Sequence, residues 1–412
     1  MIELKQKKAL YGISIFFIIV AIFLEPSTSL LSNMIRLIEG KDGLNTDYFI
    51  KASRGAALLN AGLVGLVCTA FLDKFKSEFE GIAVAATLLA IGFALFGKNI
   101  FNIWPFFLGG YIYSKYSKLE FREVLPVTIF ATGIAPIVAE VIFVFEGNTV
   151  IKVIAALLIA IFIGFIVHII APHVKKLHKG YDLYNMGLTL GIVGTAIVSV
   201  MRGFGFVIET QQVWDTYKSV DLTIIFGLLF LLITIYGIYQ DKGLDKFKAL
   251  LQTTGNGNDY IKEFGFNTVL INMGTTALLT FAVCYVLNIP MNGMILGGVI
   301  TIVGFAATGK HIKNITPIFI AVILFTITTQ RNFTDPAIGL AMVYITGIAP
   351  LAGKFGFFPG IVAAYINNAI VINTSVLHGG LDLYNTGFAI GLTCAFILPI
   401  YETIWKDKKI EG

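Results

Sequence analysis

Residues 178–191 read HKGYDLYNMGLTLG, and residues 378–391 read HGGLDLYNTGFAIG. One pattern, H-x-G-x-D-L-Y-N-x-G-x-x-x-G, thus stands twice, 200 residues apart. Working outward, TGIAP at 132–136 returns at 346–350. GFALFGKNIFNIWP at 92–105 returns as GFAATGKHIKNITP at 304–317, and LLNAG at 58–62 as LINMG at 270–274. Asp47-Tyr48 returns as Asp259-Tyr260. The offsets are 212, then 214, then 200, and they drift only where loops change length. Chance does not produce five matches in one order, so the chain is an internal duplication. Its halves are 1–212 and 213–412.

The composition places this duplication in a membrane. Of 412 residues, 56% are apolar and 13% charged, against about 45–50% and about 25% in soluble domains. Mean hydropathy is +0.82. A soluble protein could not hide that much apolar surface. A disordered chain, a secreted disulfide scaffold and a nucleic-acid-binding domain are excluded. Apolar segments recur at about 9–25, 56–72, 81–97, 101–114, 124–145, 149–171 and 182–200, and again at about 221–239, 265–287, 291–308, 314–329, 337–353, 359–374 and 382–401. These are near the length that spans hydrocarbon and too continuous for barrel strands. The expected fold is an all-α integral membrane protein of about 14 hydrophobic segments, seven per half, some broken or re-entrant. Lys5, Lys7 and Lys8 ahead of the first segment resemble a signal peptide, but Glu25-Pro26-Ser27 offers no small-residue cleavage site. The segment also has a counterpart at 221–239, so it reads as a retained first helix.

Seven segments per half is an odd number, so the second half should enter the membrane from the opposite side. With strict alternation, 21 of the 30 Lys and Arg residues fall on the side of the N-terminus. That bias places both termini in the cytoplasm. It makes the halves inverted repeats, an architecture common among secondary transporters and some channels. Arg36, Lys41, Lys51 and Arg54 crowd one outer loop, which an interfacial helix would explain.

Residues that polarise or break apolar segments are the functional candidates. On a continuous helix His178, Asp182 and Asn185 would share a face, as would His378, Asp382 and Asn385. Alternatively, a helix starts near Gly180 or Gly379 with the Asp as its cap. Capping and packing stand against lining of a solute path, and both are open. Gly187 with Gly191, and Gly387 with Gly391, form small-xxx-small pairs for close helix approach. Lys98, with Asn102 and Pro105, returns as Lys310 with Asn314 and Pro317. Either a hairpin dips to mid-membrane there, or a surface turn carries a snorkelling lysine. TGIAP marks a kink. Four residues beyond each TGIAP proline, Glu140 and Lys354 occupy one repeat position. Glu140, inside VAEVIFVF, is either a proton or cation site or half of an ion pair. The coupling candidates are therefore Glu140, Lys98, Lys310 and Lys354. Asn60, Asn272, Asn367 and Asn368 suit hydrogen bonds between helices or contact with a polar solute.

Cys68, Cys284 and Cys394 are far apart in apolar runs, and no CxxC, HExxH, GxGxxG or P-loop occurs. No metal site, cofactor or ATP-driven step is indicated. Through its paired DLYN-G and TGIAP motifs the chain resembles an uncharacterised prokaryotic family of polytopic membrane proteins, a domain of unknown function. That implies a membrane location. LLNAGLVGL at 58–66 is also similar to the repeated motif of urea-transporter-type channels, without its neighbouring Asn-Pro.

The expected function is a secondary transporter for a small polar solute or ion, not an enzyme. Solute contact falls to His178, Asp182, Asn185, His378, Asp382, Asn385, Asn102 and Asn314. A channel-like facilitator for a small neutral solute is the alternative, and an enzyme acting on a lipid-linked substrate the lesser one. The expected partners are the solute or ion and the lipid bilayer, with self-association open and no nucleic acid.

Overall fold

The computed structural model describes residues 2–208 and 212–406. In the first half the helices are α1 (Ile2–Leu24), α2 (Ser27–Glu39), α3 (Tyr48–Lys51), α4 (Arg54–Lys74), α5 (Gly81–Phe93), α6 (Trp104–Tyr116), α7 (Phe121–Ala131), α8 (Pro136–Val144), α9 (Thr149–His178) and α10 (Asn185–Gly203). In the second they are α11 (Val220–Asp241), α12 (Asp245–Leu250), α13 (Tyr260–Phe264), α14 (Phe266–Val286), α15 (Gly293–Phe305), α16 (Ile312–Thr328), α17 (Pro336–Tyr344), α18 (Ala349–Phe355), α19 (Phe357–Thr374) and α20 (Asn385–Lys406). Two isolated backbone bridges, Thr46 to Val213 and Asp47 to Phe96, are the only β pairing among the described residues.

Ten segments are long and apolar enough to cross a membrane, and the protein is a polytopic helical membrane protein. Two of the ten, 121–144 and 336–355, are not single helices. Each breaks at TGIAP into a short 3-10 turn, Thr132–Ile134 in one and Ile345–Ile348 in the other. The proline that follows lacks an N–H, so it opens the next helix rather than continuing the last.

α5 and α15 are 13 residues each, about 20 Å at 1.5 Å per residue and too short to span. They are enclosed by protein instead: every residue of α15 is buried, and all of α5 but Ile82. That burial is what permits a helix to end at membrane depth, because the freed backbone groups can find protein partners. The two cross closely. A Cβ on Gly92 would clash with the Gly297 carbonyl oxygen, and one on Gly297 with the Gly92 carbonyl oxygen. α10 and α20 cross in the same manner, with Gly187 against Gly387. The core therefore runs through two pairs of repeat-equivalent helices.

The loops sort into two ends. Lys7 at the start of α1 pairs with Asp73 at the end of α4 at 2.5 Å. Lys262 pairs with Glu80, and Lys179 with Glu402 at 2.6 Å, at that same end. Asp221 at the start of α11 pairs instead with Arg54 at the start of α4, at 2.7 Å. α1 and α11 thus begin at opposite ends of α4. The crowded basic loop holds the amphipathic α2, which buries Leu30, Met34 and Leu37 and leaves Leu31 and Ile35 exposed.

Candidate functional site

The duplicated motif does not form one helix. α9 ends at His178, Lys179 turns left-handed at φ 49°, and α10 begins only at Asn185. The shared helix face expected of His178, Asp182 and Asn185 is therefore incorrect, and so is a helix start near Gly180. The three side chains meet by folding back. His178 Nε2 lies 2.8 Å from Asn185 Oδ1, and the Asp182 N–H donates to His178 Nδ1 at 3.4 Å. With Nδ1 accepting, Nε2 carries the proton and donates to Asn185. The second copy repeats this at 2.9 and 3.2 Å for His378, Asn385 and Asp382. Asn185 Nδ2 donates to the Ala171 carbonyl and Asn385 Nδ2 to that of Val371. His178, Asn185, His378 and Asn385 thus clamp a helix end to the next helix start.

The aspartates differ. Oδ1 of Asp182 accepts the Tyr184 N–H at 2.8 Å, and Oδ1 of Asp382 that of Tyr384 at 2.9 Å. Oδ2 of each is buried without a hydrogen-bond partner among the described residues. An orphaned carboxylate oxygen is costly away from water.

Each motif leans on the other half. The Leu183 N–H donates to the Gly347 carbonyl at 3.1 Å, and that of Leu383 to the Gly133 carbonyl at 3.0 Å. The ring of Tyr184 lies against Gly347 and that of Tyr384 against Gly133, where a Cβ would come within 2.5 and 2.7 Å of ring carbons. The glycines of TGIAP are therefore seats for the tyrosines of the opposite motif. Tyr384 packs edge-on against Phe93 at 4.6 Å and Tyr184 against Phe305 at 4.7 Å, with the two tyrosine rings 6.0 Å apart.

Beneath these rings lie Lys98 and Lys310, each 0% exposed. The surface turn with a snorkelling lysine is thereby overturned. Both turns are interior, and Asn60 and Asn272 bind them. Asn60 Nδ2 donates to the carbonyls of Ala94 and Lys98, and Asn272 Nδ2 to those of Ala306 and Lys310. Lys98 Nζ donates to Thr132 Oγ1 at 2.9 Å, and Lys310 Nζ to Thr346 Oγ1 at 2.8 Å. Lys310 also donates to the Tyr184 hydroxyl and lies 4.5 Å from that ring's centroid. No carboxylate lies within ion-pair distance of either lysine among the described residues. A buried ammonium in that position is held by hydroxyls and ring faces alone.

The other candidates lie outside this set. Asn102 Nδ2 donates to Asp42 Oδ2 at 3.1 Å, and that carboxylate is also bound by Tyr48, Lys51 and Asn99. Asn314 holds the turn before α16, accepting the His311 N–H and donating to the Gly309 carbonyl. Glu140, 2% exposed, forms an ion pair with Lys41 at 3.1 Å, the structural alternative for this residue. Lys354 is exposed in the last turn of α18 and is not brought to the lysine–tyrosine layer. Asn367 donates to Thr393. The three cysteines are buried and free. Sequence reasoning passed over Tyr184, Tyr384, Thr132 and Thr346. Their signal was present, because all four stand at invariant places of the duplicated motifs.

No curated protein and no solved structure matches the chain. The likeness of 58–66 to urea transporters has no further support, and Asn60 there is spent on backbone carbonyls. One family model matches residues 27–203 and 239–403, and its interruption falls where the halves join. The chain belongs to that family, described as a protein of unknown function, DUF1576.

Proposed function

We propose that this protein is a secondary transporter, moving a small polar solute or ion by alternating access between two inverted halves, 1–212 and 213–412. The observation that carries the proposal is the reciprocal crossing at the centre. Each half lends an Asp-Leu-Tyr turn to the broken helix of the other, each crossing buries a carboxylate oxygen with no hydrogen-bond partner among the described residues, and two lysines are buried in the same core with no carboxylate among those residues at ion-pair distance. Discontinuous helices with free polar groups at mid-depth are where such proteins hold their cargo. The opposite starts of α1 and α11 along α4 support the inverted relation.

Asp182 and Asp382 contact the solute or coupling ion in this proposal, with Lys98 and Lys310 tuning the site. The end rich in Lys and Arg faces the cytoplasm of a cell membrane, so both termini are cytoplasmic. No chemical conversion is assigned to the protein. In proteoliposomes, Asp182→Asn and Asp382→Asn should abolish uptake while the protein stays folded. Normal uptake by both variants overturns the proposal, and flux indifferent to proton and sodium gradients makes the protein a facilitator.

A further inference from the structure

The two halves repeat their sequence but not their contacts. Lys310 of the second half reaches across to the hydroxyl of Tyr184 in the first. Its equivalent, Lys98, bonds through Nζ only to Thr132 among the described residues and lies over Phe93 at 5.7 Å. The matching hydroxyl, that of Tyr384, is buried with no hydrogen-bond partner among the described residues. One crossing is therefore latched and the other released. The lysine, threonine and tyrosine of the two crossings are the same residue types, so the difference lies in how each crossing packs.

A cavity of about 350 Å³ lies beside the released crossing. Leu383, Asn385 and Thr386 of the second motif line it, with Tyr344 and Ser375, and Arg331 and Asp335 stand among its outer residues. The volume suits a small metabolite. At the equivalent positions of the first half Tyr344 is replaced by Phe130, Thr386 by Met186 and Ser375 by Lys175. The cavity thus owes its hydroxyls to the second half alone. It carries one basic and one acidic side chain, so the lining suits a hydrogen-bonding solute of no large net charge.

We propose that Lys310–Tyr184 and Lys98–Tyr384 are alternative latches of one cycle, and that the cavity lined by the residues flanking Tyr384 admits a small, net-neutral, hydrogen-bonding solute. This rests on the transporter proposal. In the opposite state Lys98 would bond Tyr384, Tyr184 would be released, and this cavity would close.

The test reads access without any solute. Thr386→Cys is placed in the cavity and Met186→Cys at the equivalent place in the first half. Each is exposed in proteoliposomes to membrane-impermeant thiol reagents that are neutral, anionic or cationic, added to one side at a time. Thr386→Cys should react from the side of the α10–α11 linker, at rates within about threefold for the three reagents. Adding Tyr184→Phe removes the closed latch. It should slow that reaction by about fivefold, the shift expected for one hydrogen bond, and quicken Met186→Cys from the other side. Adding Tyr384→Phe should do the reverse. Both hydroxyl deletions are small, and the opposite direction of their effects separates latching from general loosening. Equal shifts in one direction, or none, overturn the latches. A strong preference for one reagent charge overturns the solute class. Reciprocal access in a protein that carries no uptake would leave the latches standing and remove the transporter proposal instead.

Discussion

Asn60 and Asn272 occupy one repeat position, yet the structure assigns them unequal loads. Asn60 makes three bonds: Nδ2 to the Ala94 carbonyl at 2.7 Å and the Lys98 carbonyl at 2.9 Å, and Oδ1 from the Ile100 N–H at 3.0 Å. Asn272 makes the two amide bonds, at 2.8 and 2.7 Å, and its Oδ1 is buried without a partner among the described residues. Intramolecular hydrogen bonds contribute roughly 0.5–1.5 kcal/mol each, and those between membrane helices average about 0.6 kcal/mol. Asn60→Ala should then cost about 2–3 kcal/mol and Asn272→Ala about 1–2 kcal/mol, since its deletion also removes an orphaned oxygen. Equilibrium unfolding in mixed detergent micelles measures both. The lysine turns should loosen along with the stability, because the same amides hold the carbonyls of Lys98 and Lys310. An Asn272→Ala variant as costly as Asn60→Ala, or two costs below about 0.5 kcal/mol, would refute the structural role of these amides and return them to solute contact.

Gly187→Ala places a Cβ 2.6 Å from the Gly387 backbone. No rotamer relieves that clash, so it should cost about 3 kcal/mol or more in a thermal melt, whereas Gly12→Ala, with nothing within 4 Å of its Cβ, should be neutral or slightly stabilising. Gly347→Ala should displace the Tyr184 ring and reduce uptake more than stability, measured by transport and melting of one preparation. Glu140→Gln should weaken the pair with Lys41 and cost about 1–3 kcal/mol while leaving the ion dependence of uptake intact; loss of that dependence at unchanged stability would restore Glu140 as a coupling residue. Arg54→Ala, at the partly exposed pair with Asp221, should cost under about 1 kcal/mol and less in high salt.

The candidate site was legible in part because duplication marks residues without saying what they touch. TGIAP announced its own break: a proline cannot continue a helix, and that is local chemistry. The lysine turns were visible as charges in apolar runs, but whether Lys98 and Lys310 reach water depends on what encloses α5 and α15. Spacing alone allowed His178, Asp182 and Asn185 to share one helix face or a helix to start near Gly180, because a local pattern carries no sign that Lys179 turns left-handed and folds the motif back on itself. Glu140 and Asn102 looked functional for being polar in apolar surroundings, and the partners that satisfy them, Lys41 and Asp42, come from a loop 99 and 60 residues away.

What the amino-acid sequence determined by itself is therefore the membrane class, the internal duplication and the breaks at TGIAP, since hydropathy, repetition and proline act over a few residues. Only the tertiary structure decided that each Asp-Leu-Tyr turn seats on the glycine of the opposite half. Only there do the lysines become buried, Lys310 against Tyr184 and Lys98 against Thr132 and Phe93. The two copies share His, Asp, Leu, Tyr, Asn and Gly at the same spacing, and which partners those residues meet is set by packing between segments far apart in the chain.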